Sequence, residues 1–314
     1  MTAHRNFKQR VRARAAKTGE SYTAALRHFR PTPRGDSDMP EPLRIAVAQS
    51  TVHEDPTNPT LLRESGAEVR SLMREAAAAG ARLVHFTEGA ICFPSKVVMS
   101  SLGPDEIGPS DWTKADWAVL QDELDQITKL SGQLGLWTVI PSVHQLPDAR
   151  PHNSAYVVSD KGQVVARYDD RALSTTKVTW MYTPGTAPVT FELDGYRFGL
   201  ALGLDMLFPE LFTEYDRLGV DAVLVSYAST HGPNAHIAVQ ASGTAANNTC
   251  WISLAVTANP ETGLVAGVTN PRGEWVAQAP ADGRPAIAVA ELQLDEWTSV
   301  GRAFRRRTRE RIGS

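Results

Sequence analysis

Short apolar runs alternate along the chain with longer segments in which apolar residues recur at helical spacing. Leu43–Ser50 is an almost continuous apolar run, typical of a buried strand, and Leu61–Gly80 is an Ala-rich amphipathic segment that ends at a glycine. Another apolar run covers Ala81–Glu88. Strand, helix and strand in this order predict a parallel crossover unit. The pattern repeats with a helix over Trp112–Leu134 and a strand over Leu136–Val143.

The middle of the chain changes to closely spaced strand pairs, after which helices and strands alternate again. Turn sequences predict antiparallel strands over Asn153–Val158, Gln163–Tyr168, Val189–Leu193 and Arg197–Leu202. Further on, the pattern predicts helices over Pro209–Leu218 and Ala235–Asn247, strands over Asp221–Tyr227, Cys250–Val256 and Ala286–Glu291, and a hairpin turn at Asn270–Gly273. Two sheets, each covered by helices, accommodate this order, so we expect an α/β fold arranged as a four-layer αββα sandwich.

Composition divides the chain of 314 residues into three parts. Residues 1–38 are basic up to a Pro-rich break at Pro31–Gly35 and predict a helical N-terminal arm; residues 39–293 form the α/β domain; residues 294–314 are a charged tail, interpreted as a solvated or subunit-crossing helix. A basic arm can bind nucleic acid, but this one is too short to hold a core. A solvated arm or a dimer clasp is therefore the preferred interpretation.

Charge and cysteine content narrow the class of protein. The chain has 32 Lys and Arg against 35 Asp and Glu, a net charge of −3, which is not typical of a dedicated nucleic-acid binder. Its two cysteines cannot form a disulfide framework, and no apolar stretch follows the basic N-terminus as in a secretory signal. No apolar run approaches the roughly 18 residues of a membrane span. We expect a cytoplasmic protein without membrane contact.

Four segments contain candidate site residues. Most of these segments lie where a predicted strand ends. They hold Glu88, Asp170, Gly203 with Asp205, and Asn247. The segments are His85–Ala90, Tyr168–Leu173, Phe198–Leu211 with its Phe-Pro-Glu sequence, and Ala245–Asn248.

Together with the order of elements, these segments resemble the nitrilase superfamily, the carbon-nitrogen hydrolases, over about residues 43–293. The resemblance implies an αββα sandwich and a triad of Glu, Lys and Cys. In that triad a cysteine thiolate attacks an amide or nitrile carbon, the glutamate is the general base, and the lysine stabilises the oxyanion. It also implies a homodimer that forms near the helix over Pro209–Leu218.

At the three triad positions the chain carries Glu88, Asp170 and Gly203. Glu88 matches the general base, although Thr87 stands where the family usually has proline. Asp170 stands at the lysine position, and a carboxylate cannot stabilise an oxyanion unless it is protonated. Glycine has no side chain with which to attack a carbon atom, so the resemblance implies that the covalent route is closed. Lys177 or Arg171 could reach the site from the same loop as Asp170, but the preferred interpretation of Lys177 is a solvent-facing residue.

Other residues match substrate-contacting or supporting positions. Asp205 matches the family's acid two places after the nucleophile, and Asn247 stands where a further glutamate is expected. Cys92 is a possible replacement nucleophile beside the pocket, although no cation or helix terminus near it is evident that would activate a thiol. Ser226 and His231 follow a strand at the expected pocket rim. His85 is interpreted as a packing residue and Cys250 as a core residue.

Two functions remain open at this point. The first is an enzyme that acts on the C–N bond of a small, amide-like metabolite, with Glu88 as base and Asp170 as a protonated acid, because paired carboxyls can supply an acid and a base together. The second is a non-catalytic protein that binds a small molecule or a protein partner in the inherited pocket. A nucleic-acid-linked regulator is a third, less favoured hypothesis. No metal-ligand or phosphate-loop spacing is present, so we expect no cofactor.

Overall fold

A computed structural model describes residue 12, residues 39–103, 105–229 and 232–312. The predicted basic arm, except for Arg12, lies outside the described residues, as does His231. The division of the chain at residues 38 and 293 stays a prediction.

The described residues form strands that assemble into two sheets joined at the carboxyl ends of one strand from each. The strands are β1 Leu43–Ser50, β2 Leu83–His85, β3 Trp137–His144, β4 His152–Val158, β5 Val164–Asp169, β6 Thr190–Leu193, β7 Tyr196–Leu202, β8 Ala222–Tyr227, β9 Trp251–Thr257, β10 Gly267–Thr269, β11 Trp275–Gln278 and β12 Ala286–Leu292. The first sheet has the order β12-β1-β2-β3-β4-β5 and the second β11-β10-β9-β8-β7-β6. The two meet where Gln49 and Ser50 pair with Val256 and Thr257.

Helices cover the outer faces of both sheets. They are α1 Pro59–Ala78, α2 Trp117–Leu134, α3 Pro209–Arg217, α4 His236–Asn248 and α5 Glu296–Ile312. The Asn58 side chain caps α1 by accepting two backbone N–H groups, and Gly135 ends α2 in the left-handed conformation. None of the helices in the described ranges combines the length and hydropathy that a membrane crossing requires.

Apolar contacts fix the order of the layers. Between the sheets, the Trp137 ring stacks on Phe191 with centroids 5.9 Å apart, and Phe191 stacks on Phe198 at 5.1 Å. The outer face of the first sheet packs against α1 and α2, and α4 packs its buried face into the core of the second sheet. The αββα sandwich predicted from the hydrophobic pattern is confirmed.

One helix begins later than the sequence pattern predicts. Trp112–Lys114 is a separate 3-10 turn capped by the Asp111 side chain, and Ala115 is extended. Asp116 then caps α2 by accepting the Val119 N–H at 3.1 Å. Two successive aspartate caps, rather than one long helical run, explain the difference.

The charged C-terminal segment packs on the domain, so the solvated alternative is wrong, whereas the subunit-crossing alternative stays a prediction. The guanidinium of Arg302 forms an ion pair with Asp221, and that of Arg309 pairs with Asp216. Both aspartates are buried. A buried carboxylate needs a charged or hydrogen-bonding partner, and α5 supplies one to each of them.

Candidate active site

Glu88 lies just after β2, and its side chain is buried at the carboxyl end of the first sheet. The next residue, Gly89, has a φ of +68°, which turns the chain there. The carboxylate accepts three hydrogen bonds. Lys177 Nζ donates to Oε1 at 2.8 Å, Asn153 Nδ2 to Oε1 at 2.9 Å, and the Ala228 N–H to Oε2 at 3.1 Å. These donors hold the carboxylate in one orientation.

Lys177 reaches this carboxylate from a single π-helical turn, Lys177–Met181. Its side chain is 14% exposed, and the ammonium group lies 4.7 Å from the centroid of the Phe93 ring. Burial acts to lower the pKa of Lys177, but the carboxyl groups of Glu88 and Asp170 outweigh it and the pKa is raised. The interpretation of Lys177 as a solvent-facing residue is therefore wrong, because its stem crosses into the site and its charge is paired there.

Asp170 follows β5 and is 2% exposed. Its Oδ2 accepts a hydrogen bond from Asn153 Nδ2 at 3.0 Å, whereas Oδ1 is buried and has no hydrogen-bond partner among the residues that the structure describes. Burial and the charge of Asp205 raise the pKa of Asp170 well above its ordinary value, although Lys177 opposes the shift. Burial thus favours the neutral carboxylic acid form of this side chain.

Asn153, in β4, joins the two carboxyl groups by donating to both. It was not among the residues singled out from the sequence. Its backbone carbonyl also accepts the Asp170 N–H at 2.8 Å, which fixes the loop that carries Asp170. The available signal was a polar amide within a predicted strand, a residue type that is depleted in strands.

Gly203 lies beside Glu88 at the point where β7 runs into a short 3-10 turn. Its φ is +48°, and a Cβ placed on it would lie 3.0 Å from Glu88 Oε2 and 3.2 Å from Oε1. Glu88 thus fills the space that the first atom of a side chain at position 203 would need.

Asp205 accepts hydrogen bonds from backbone groups near the site and does not line the cavity. It is fully buried and accepts hydrogen bonds from Tyr168 Oη at 2.5 Å, the Ala172 N–H at 2.9 Å and the Leu202 N–H at 3.0 Å. Burial raises the pKa of Asp205, and these three donors oppose the shift. The expectation that Asp205 contacts substrate is wrong, because its oxygens are turned to the two loops that carry Asp170 and Gly203.

These groups open onto one cavity of about 490 Å³. This volume suits a small organic ligand. The wall is mixed: charged and neutral acid groups lie beside apolar side chains and the aromatic rings of Phe93 and Tyr227. Its lining includes Glu54, Glu88, Phe93, Lys96, Val97, Ile107, Asp170, Ser174, Lys177, Gly203, Leu204 and Tyr227.

Comparison with known proteins identifies the family. A model of the carbon-nitrogen hydrolase family matches residues 44–302. The chain belongs to this family. A protein described as a hydrolase, found in two strains of Mycobacterium tuberculosis, is 27% identical over 279 residues, which cover 81% of this chain and 90% of the relative.

Solved structures of the nitrilase superfamily share the fold. A cysteine-to-alanine variant of the Nesterenkonia AN1 amidase superposes with a TM-score of 0.67 and 18% identity, covering 89% of this chain and 99% of the amidase. A glutamate-to-glutamine variant, with the acetamide moiety of fluoroacetamide added covalently at its active site cysteine, gives a TM-score of 0.64 and 17% identity, covering 80% and 90%. The family assignment made from the sequence motifs is confirmed.

Three residues predicted near substrate lie elsewhere in this family member. Cys92 is buried off the cavity, and burial, helped by Asp55 and Glu54, raises the pKa of its thiol, so it is not an activated nucleophile. Asn247 is exposed on α4 and does not line the cavity. Ser226 is enclosed within the second sheet. None of the three side chains lines the cavity: Ser226 and Asn247 lie on strand and helix faces that turn away from it, and the loop residue Cys92 packs into the apolar core beside the first sheet.

The Ser226 side chain is directed toward His85. The His85 ring nitrogens hydrogen-bond to Ser226 Oγ at 2.9 Å and Ser253 Oγ at 3.0 Å. Burial lowers the pKa of His85 to about 3, so the ring is neutral and links β2 to β8 and β9. This agrees with the interpretation of His85 as a packing residue.

The Glu88 carboxylate accepts three hydrogen bonds and can accept a fourth. A carboxylate offers about four acceptor positions, of which Oε1 uses two and Oε2 uses one. The remaining position is on Oε2, the oxygen nearer to Gly203. A water molecule bound there would lie at the Gly203 wall of the cavity.

Proposed function

We propose that this protein cleaves the carbon-nitrogen bond of a small carboxamide by acid-base chemistry, without a covalent cysteine intermediate. The observation that carries the proposal is the convergence of Glu88, Asp170 and Lys177 on one cavity beside Gly203, which offers no nucleophilic side chain. Membership of the carbon-nitrogen hydrolase family and the likeness to an amidase support the reaction class.

Glu88 is the general base for water. Its free Oε2 position accepts a proton from a water molecule, and the water oxygen forms a bond to the amide carbon while the carbonyl π electrons move onto oxygen. Because Gly203 has no side chain, the attacking group in this proposal is the water bound to Glu88. The hydrogen bonds from Asn153 and Ala228 fix the carboxylate orientation during this step.

Lys177 and Asp170 stabilise the charge that develops on the substrate oxygen. The ammonium group of Lys177 supplies positive charge, and the protonated carboxyl of Asp170, which lines the cavity, supplies an O–H donor. Two preformed donors of this kind are typical of oxyanion stabilisation, and removal of one such donor commonly costs about 100- to 1,000-fold in rate. Lys177 thereby stabilises the oxyanion, the role that the resemblance assigns to a lysine at position 170.

Collapse of the tetrahedral intermediate completes the reaction. The C–N bond breaks as Glu88 returns its proton to the leaving nitrogen, and the carboxyl product loses its proton to the released amine or ammonia. One carboxamide and one water thus give one carboxylate and one ammonium ion. No oxidant or group carrier is needed.

Ligand binding without turnover is the second candidate. It is favoured by one observation, the absence of a side-chain nucleophile at Gly203 beside a carboxylate that already accepts three hydrogen bonds. In this case Glu88 would serve to anchor a ligand amide.

Untargeted mass spectrometry of a small-metabolite extract separates the two candidates. The extract is incubated with the wild-type protein, with Glu88→Gln, and with Glu75→Gln, which changes an exposed glutamate on α1. The proposal expects a carboxamide to be consumed, and its acid to appear, with the wild type and Glu75→Gln alone. Unchanged extracts in all three incubations would overturn it and favour ligand binding.

A further inference from the structure

Lys96 is a second lysine on the wall of the cavity, and its ammonium group has no ion-pair partner among the residues that the structure describes. It is partly buried. Lys177 pairs with Glu88, whereas the Lys96 ammonium makes no hydrogen bond or ion pair with any residue in the described ranges. Burial, followed by the positive charge of Lys177, lowers the pKa of Lys96. A partly desolvated ammonium near a like charge is unfavourable unless an anion joins it.

The backbone around Lys96 is held firmly, so the lysine emerges from a fixed wall. The Phe93 N–H donates to the His53 carbonyl at 2.9 Å, and the Ser95 N–H donates to the Glu54 carbonyl at 2.8 Å. The Ser95 carbonyl in turn accepts the Met99 N–H at 3.0 Å. Such a segment presents its side chains in a preorganised arrangement, which favours binding of a ligand with a matching charge.

No other charged group of the cavity forms an ion pair with Lys96 among the described residues. Glu88 pairs with Lys177, and burial shifts Asp170 toward its neutral form. Glu54 also lines the cavity but forms no ion pair with Lys96 in the described ranges. The Lys96 ammonium is therefore available to an anionic group of a ligand in the cavity.

We infer that the substrate is an anionic carboxamide, in which a carboxylate that pairs with Lys96 is joined by a short apolar spacer to the amide held by Glu88, Asp170 and Lys177. The spacer fits the apolar part of the wall at Val97 and Leu204. The inference rests on the proposed function of this site, and it makes Lys96 a specificity-determining residue.

Direct binding tests the inference without requiring turnover. Isothermal titration calorimetry with the full-length protein compares the monoamides of succinic, glutaric and adipic acid with the matching diamides, which have nearly the same shape and no charge. We expect at least one monoamide to bind about tenfold more tightly than its diamide. The difference should shrink as salt is added, because Lys96 is only partly buried.

Charge variants assign the preference to Lys96. Lys96→Gln should abolish the difference between monoamide and diamide, and Lys96→Arg should keep most of it. Lys161→Gln, which removes an exposed lysine in the hairpin between β4 and β5, should leave it unchanged. Equal binding of the two ligand types by the wild type, absence of binding by every monoamide, or a preference that survives in Lys96→Gln would each overturn the inference.

The outcomes also distinguish this inference from the proposed function. A monoamide preference without any product would contradict the proposed hydrolysis and leave the anion specificity standing. Turnover of a neutral carboxamide with no monoamide preference would contradict the anion specificity and support the hydrolysis.

Discussion

Gly203 combines a left-handed backbone with close contact to the Glu88 carboxylate, so two independent costs oppose any side chain there. A residue with a Cβ loses about 1–2 kcal/mol in the left-handed conformation. The Cβ would in addition lie 3.0 Å from Glu88 Oε2, where the oxygen is fixed by its own hydrogen bonds. Glycine at this position preserves the geometry of the base.

We predict that Gly203→Ala lowers the free energy of unfolding by about 2 kcal/mol, because backbone strain and the displaced carboxylate act together. Gly243→Ala is the matched control. Gly243 lies within α4 with no neighbouring atom near its Cβ position, and alanine there should raise stability by about 0.5–1 kcal/mol. Urea unfolding followed by circular dichroism measures both. Equal stability of wild type and Gly203→Ala would show that the close contact is not present.

Asp170 should make stability depend on pH. Its folded pKa is raised by burial, so the folded state keeps a proton that the unfolded chain releases above about pH 4. Unfolding is therefore increasingly favoured as pH rises from about 4 toward neutrality. Asp170→Asn should not show this loss of stability. Its free energy of unfolding should therefore rise relative to that of the wild type as pH increases from about 4 toward neutrality.

Unfolding free energies at a series of pH values test this prediction about Asp170. Asp148→Asn, which changes an exposed aspartate, serves as the control and should follow the wild-type curve. If the Asp170→Asn and wild-type curves run parallel between pH 4 and 7, Asp170 is not held neutral in the folded protein.

At the scale of elements, the hydrophobic pattern was sufficient for most of the sandwich. The run Leu43–Ser50 became β1 without change of bounds, because a continuous apolar strand buried on both faces has a clear signature. The hairpin turn at Asn270–Gly273 likewise joins β10 and β11. Strands and turns that are determined by the local sequence could therefore be predicted.

The positions of the site's side chains were less predictable. Glu88, Asp170 and Gly203 could be found because each follows a strand within a family motif. The contact between Lys177 and Glu88 could not be predicted, because it depends on an irregular π-helical turn and joins residues 89 positions apart in sequence. Asn153 was missed for a similar reason, since its partners come together only when β2, β3, β4 and β5 assemble into one sheet.

The buried His85 links three strands and gives a second pH-dependent contribution. Its folded pKa is about 3, whereas an unfolded histidine titrates near 6.5, so only the unfolded state binds a proton between these values. Stability should fall on acidification from about pH 6.5 toward 3, on the order of 1 kcal/mol per pH unit.

Replacement of His85 isolates this contribution. His85→Gln should flatten the acid side of the stability curve even if it lowers stability overall, and His236→Gln, at an exposed position on α4, should keep the wild-type slope. Chemical unfolding between pH 4 and 7 measures the slopes. An acid slope that is the same in His85→Gln and the wild type would contradict this role.

At the scale of the whole molecule, α5 is joined to the second sheet by charge. Arg302 is buried against Asp221, and its guanidinium also donates to the Asp221 and Thr249 carbonyls at 3.0 Å and 2.8 Å. Breaking a buried pair leaves an uncompensated charge and typically costs about 3–5 kcal/mol. Arg302→Met should lower the free energy of unfolding by about that amount.

Arg307→Met provides the comparison for this prediction, since Arg307 is exposed on the same helix. Its stability should stay within about 0.5 kcal/mol of the wild type. Thermal and urea unfolding of both variants measure the difference. Similar stabilities for Arg302→Met and Arg307→Met would mean that α5 does not dock through this pair.

The molecule as a whole keeps the scaffold of the carbon-nitrogen hydrolases around a cavity lined by the carboxyl groups of Glu88 and Asp170 and the ammonium group of Lys177. The most direct test is turnover of small carboxamides by a cysteine-free variant, Cys92→Ser with Cys250→Ala, beside the wild type and Glu88→Gln. We predict that the cysteine-free variant, once shown to be folded, keeps wild-type turnover and that Glu88→Gln loses at least about 100-fold. Loss of turnover in the folded cysteine-free variant, a cysteine adduct during turnover, or an inactive wild type would contradict the account.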